Sequence, residues 1–168
     1  MSSLKLQILA VFSALALFLS IPTTIFAQSP ESFGLPVQKT LPGSSGYVFK
    51  RLKEKTVGLF KFSKEARSSY RQTLLEKRVS EFVSLVENKN QLQIANASQR
   101  IAYEAGMLAE NSYNRTREEK DKVINLFEKY KPILERMRDN FPANSPFWLL
   151  SQQDIDTLNI LSSKLKND

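Results

Sequence analysis

The chain has 168 residues and a net charge of +7, and it contains neither His nor Cys. Those two absences exclude Ser-His-Asp and Cys-His nucleophilic sites, zinc sites built on imidazole or thiolate, the usual haem and iron–sulfur ligands, and disulfides. The charge is concentrated: Lys50–Arg78 holds ten Lys and Arg against three Glu, whereas residues 79–168 hold 12 basic and 13 acidic side chains.

Residues 1–27 read as an export signal. Lys5 is the only charge, the run Leu6–Pro22 is almost wholly apolar, and "TTIFA" supplies a less hydrophobic tail ending at Ala27. The run is short for a full membrane span, which takes about 20 apolar residues; an uncleaved anchor reaching Phe26 is the alternative. Residues 28–46, "QSPESFGLPVQKTLPGSSG", are rich in Pro, Gly and Ser and read as an irregular tether to a folded domain over 47–168.

That domain reads as helices throughout. The first runs from Tyr47 to Phe60, with Val48, Phe49, Leu52, Thr56, Leu59 and Phe60 on one face. That face, with Phe62 and Tyr47, is expected in the core, membrane insertion of Phe49, Phe60, Phe62 and Tyr47 being the alternative. Gly58 falls on the opposite, polar face. Ser63 caps a second helix, Lys64–Glu87, whose stripe is Leu75, Val79, Phe82 and Val86, widened by Leu74, Val83 and Leu85. After the "NKN" turn a third runs from Gln91 to Tyr113, carrying Leu92, Ala95, Ile101, Ala102, Ala105, Leu108 and Ala109.

The fourth opens on "TREE", a capping box at Thr116–Glu119, and repeats Val123, Phe127, Tyr130, Leu134, Met137 and Phe141 as a heptad seam. Pro132 projects away from that seam and should kink the helix without ending it. The last begins at Ser145-Pro146 and is expected to break or bend at Ser151 before Ile155, Leu158, Leu161 and Leu165. Short connections and sustained stripes predict an all-α fold, an elongated antiparallel bundle of four to five helices.

Three pieces in order carry a resemblance. "LPGSSGYVFKRLKEK" (41–55), "FKFSKEAR" (60–67) and "LLEKRVSEF" (74–82) resemble the successive motifs of the bacterial domain-of-unknown-function family numbered 5667. The likeness covers about residues 41–114. It implies an exported or membrane-tethered helical domain, and it carries over no catalytic residue, since the family has none assigned.

No Gly-rich phosphate loop or catalytic constellation is present, and no cofactor, metal or enzymatic activity is expected. Glu118, Glu119, Asp154 and Asp156 are the acidic clusters; a carboxylate-dependent cell-wall glycan hydrolase built on them is the least favoured reading, because capping already explains the Glu pair. The sharpest lead is the basic first hairpin, where Lys50, Arg51, Lys53, Lys55, Lys61, Lys64, Arg67 and Arg71 suit docking to anionic membrane lipid, a phosphate-bearing wall polymer or an acidic envelope protein. The plainer alternative is a solvated face partly paired to neighbouring Glu.

Nucleic acid is not an expected partner, since aromatics are not interleaved with these cations as stacking platforms. Trp148 in "FPANSPFWLL" would anchor a partner or tie a corner together. The heptad seam would serve a homodimer or the chain's own core. The expected protein is therefore a non-catalytic, exported module of the periplasmic or extracellular envelope. A periplasmic-chaperone-like helical protein is the alternative.

Overall fold

The computed structural model describes residues 29–168; the expected export signal lies outside them. The described residues form five α-helices, two short 3₁₀ turns and no strand. The helices are α1 (Tyr47–Leu59), α2 (Lys64–Glu87), α3 (Ile94–Glu110), α4 (Arg117–Arg138) and α5 (Pro146–Asn167).

Helices α2 to α5 share one core. α4 lies against α5, α3 against both α2 and α5, and α2 against α4. Leu75, Val79, Phe82, Val83 and Leu85 of α2 are fully buried there, as are Ile101, Ala105 and Leu108 of α3. Each large apolar side chain so buried contributes about 1.5–3 kcal/mol relative to exposure. The heptad seam of α4 is spent inside the chain: Val123, Phe127, Tyr130, Leu134 and Met137 are buried, and Phe141 packs at the edge of the core. A homodimer through that seam would have to unpack this core.

The starts are set by caps. The Ser63 hydroxyl accepts from the Ala66 N–H at 3.0 Å, and the Ser145 hydroxyl from the Trp148 N–H at 3.3 Å. Thr116 and Glu119 make the full capping box. α4 runs unbroken through Pro132, which is exposed.

Three expectations need correction. α5 runs through Ser151 without the break that was one of the two expectations there: the buried Ser151 hydroxyl donates to the Phe147 carbonyl at 2.9 Å, inside the helix. α3 begins after a 3₁₀ turn at Gln91–Gln93, and its core stripe is Ile94, Ala97, Ile101, Ala105 and Leu108, leaving Leu92 and Ala95 exposed. The residues read as a tether are laid against the helices. Leu35 enters the core, the Pro36 carbonyl accepts from Ser80 Oγ at 2.6 Å, and a 3₁₀ turn forms at Pro30–Phe33. Gly43, at φ +90°, lets this strap turn beside the Gln93 side chain, 3.1 Å from where a Cβ would stand.

Candidate functional site

α1 is turned over relative to its pattern. Tyr47 and Glu54 are buried, while Val48, Phe49, Leu52, Leu59 and Phe60, all expected in the core, are exposed, as is Phe62 just beyond. The expected core face is therefore the outer face, and the polar face is the inner one.

The reason lies in what α2 and α3 present beneath it. Arg78 of α2 has no exposed surface, and Glu81 and Glu104 are buried. An isolated charge in such a place costs several kcal/mol, so these groups require partners. The inner face of α1 supplies them. Arg78 Nη2 pairs with Glu54, and Arg78 Nη1 with Glu81 Oε1 at 2.8 Å. Lys50 Nζ reaches Glu81 Oε1 at 2.7 Å and also donates to Gln38 Oε1 and the Thr40 carbonyl.

The Tyr47 hydroxyl donates to Glu81 Oε2 at 2.8 Å, and the Arg100 guanidinium lies over the Tyr47 ring at 4.7 Å. Arg71 Nη1 pairs with Glu104 at 2.7 Å, and Arg51 lies between Glu54 and Glu104. Burial, with Glu81 adding to it, pushes the Tyr47 phenol up, which keeps it a donor. Burial alone would lower Arg78, but Glu81 and Glu54 outweigh it and hold the guanidinium charged. Gly58 belongs to this inner face, where Tyr70 comes within 3.3 Å of a Cβ built there.

The eight expected docking cations thus divide. Lys50, Arg51 and Arg71 face carboxylates inside this junction. Arg67 donates to the Lys61 and Phe62 carbonyls and holds the α1–α2 loop closed, and Lys61 lies over the Tyr70 ring at 5.9 Å. Lys53, Lys55 and Lys64 are exposed and have no ion pair or hydrogen bond among the described residues. At about 100° per residue, Lys53 and Lys55 fall on the two flanks of the outer apolar stripe of α1. Charge and apolar surface are therefore combined on the outside.

Elsewhere the chemistry is sparse. A groove of about 370 Å³ separates α1 from α2 and α3, lined by Arg51, Glu54, Tyr70, Arg71, Tyr103 and Glu104, but those carboxylates face Arg side chains. Glu118 pairs with Lys122 and Glu119 is engaged in the capping box. Asp154 is buried and faces no cation among the described residues; burial pushes its carboxyl up to about 8, with the nearby Ser98 hydroxyl opposing this only weakly. Asp156 is exposed and accepts from Gln152.

The four acidic residues do not share a cleft. Among the described residues no group of three or more His, Cys, Asp or Glu could hold a metal, and no helix is long and apolar enough to cross a membrane. Trp148 is half-buried under the Arg138 guanidinium at 5.2 Å, beside the Phe141–Phe147 ring contact, as a corner residue.

Neither a family model nor a curated protein nor a solved structure matches the chain.

Proposed function

We propose that the chain is an exported, non-catalytic helical module of the bacterial envelope that docks through its first hairpin to an anionic surface or partner. The folded part is read as an antiparallel bundle that carries this hairpin on one side. The observation behind this reading is the division of charge on α1 and its loop: the inner cations are consumed by buried carboxylates, while Lys53, Lys55 and Lys64 have no ion-pair or hydrogen-bond partner among the described residues and stand beside exposed Phe and Leu side chains. Each Lys near an anionic surface adds about 1 kcal/mol of attraction.

The test is retention of the full chain on anionic phosphate-polymer beads and on anionic vesicles. Binding should fall when ionic strength rises from about 0.1 M to about 1 M, which shortens the screening length from about 10 Å to about 3 Å. It should also fall in Lys53→Glu/Lys64→Glu. Binding indifferent to both would refute electrostatic docking.

The same outer stripe supports a second reading, a chaperone-like protein that shields apolar client segments. That reading requires suppression of client aggregation at stoichiometric ratios, undiminished by high salt.

A further inference from the structure

We infer that the outer face of α1 and the loop after it form a membrane-surface docking element that embeds in an anionic lipid bilayer; this rests on the docking reading above and names its partner. Val48, Phe49, Leu52, Leu59, Phe60 and Phe62 are between 60% and 76% exposed. Contiguous exposed apolar surface of this kind marks an interaction site. The Phe60 and Phe62 rings meet edge to face at 6.4 Å and form a blunt apolar tip at the end of the helix. Lys53 and Lys55 border the stripe on either side and Lys64 stands just beyond the tip, all three without partners among the described residues.

An apolar stripe edged by lysines, lying along one helix, matches a surface that is hydrocarbon inside and anionic at its rim. Such helices lie in the interface plane with the apolar side about 5–10 Å into the headgroup–acyl boundary. The competing occupants each leave half of the pattern unanswered. A phosphate-bearing polymer pairs the lysines but offers nothing apolar. A second copy of α1 would cover the stripe but bring lysine flanks together, since the one carboxylate of α1, Glu54, is turned inward on Arg78. The apolar run Leu6–Pro22 of this chain would cover the stripe and leave the lysines unpaired.

The element can insert without unfolding the domain, because its inner face is held by ion pairs to α2 and α3 and its outer face makes no contribution to the core.

The experiment places a single indole in the stripe. The chain has one Trp, Trp148, so Trp148→Phe/Leu52→Trp reports from α1 alone, with circular dichroism confirming unchanged helicity and Phe60→Trp in the same background as a second position. On mixing the full chain with phosphatidylglycerol vesicles, the emission should shift to the blue and lose most of its intensity when the acyl chains are brominated. Phosphatidylcholine vesicles should give little change, and adding Lys53→Glu/Lys64→Glu should weaken the response several-fold.

Binding to anionic beads and vesicles with the indole unshifted and unquenched would overturn lipid insertion and leave electrostatic docking standing. Equal quenching on both lipids would overturn the role of the lysines. Emission already blue-shifted without vesicles would mean that a second copy or the leading apolar run covers the stripe, and would overturn the inference. Binding to neither beads nor vesicles would remove both readings together.

Discussion

Arg78 is the side chain on which the most other groups depend. It has no exposed surface and serves Glu54 and Glu81 at once. Arg78→Ala leaves two buried carboxylates short of a partner and should cost about 3–5 kcal/mol in urea unfolding. Arg78→Lys should recover only part of this, since one ammonium lacks the fork that reaches both carboxylates; a loss below about 1 kcal/mol for Arg78→Ala would contradict the geometry described.

Asp154 makes a second prediction at this scale. Its carboxyl is raised to about 8 by burial, so the folded chain holds that proton more tightly than the unfolded chain. The stability tied to it is complete below about pH 4, the ordinary Asp range, and is lost as pH climbs towards about 8. Asp154→Asn should therefore raise stability at pH 8 by about 2 kcal/mol or more and do little at pH 4. Equal effects at both pH values would show that Asp154 ionises freely in the fold.

α1 and α4 behave as opposites at the scale of the element. The seam and capping box of α4 were legible in the sequence because both signals are local: a Thr with a Glu three residues on, then apolar residues at alternating steps of four and three. Thr116→Ala should cost about 1 kcal/mol.

The facing of α1 is not legible in its sequence, because periodicity locates a stripe but does not say which way it faces. Tyr47, Lys50, Arg51 and Glu54 recur three, four and seven residues on, the same helical spacing as a core stripe, but a phenol can face inward only with a hydrogen-bond partner and the three charged groups only against opposite charge. That opposite charge sits on α2 and α3, beyond any local window. A visible clue was Arg78 beside Glu81 inside the otherwise apolar stripe of α2. The contrast is measurable: Leu52→Ser should change stability by no more than about 0.5 kcal/mol, whereas Leu75→Ala should cost about 2–5 kcal/mol. A large loss from Leu52→Ser would mean that the stripe packs inward.

Over the whole molecule, the helical content and most boundaries followed from caps and turns. What did not follow was the placement of the strap at residues 29–46, because an irregular segment carries no period to show that Leu35 enters the core and Pro36 meets Ser80. The candidate site was legible in part. The basic hairpin stands out in the sequence, but nothing in the pattern ranks its eight cations, and only the fold separates Lys53, Lys55 and Lys64 from those that face Glu81, Glu104 and the loop carbonyls. Structure-supporting and surface-facing roles thus lie on one short helix, turned half a revolution from each other.

The most direct test of that arrangement is hydrogen–deuterium exchange of the full chain, alone and with anionic vesicles, read peptide by peptide. New protection centred on residues 47–64, with α3 to α5 unchanged, is the predicted result. Protection centred on another element, or none in this segment while the protein is bound, would contradict the assignment of α1 as the docking face.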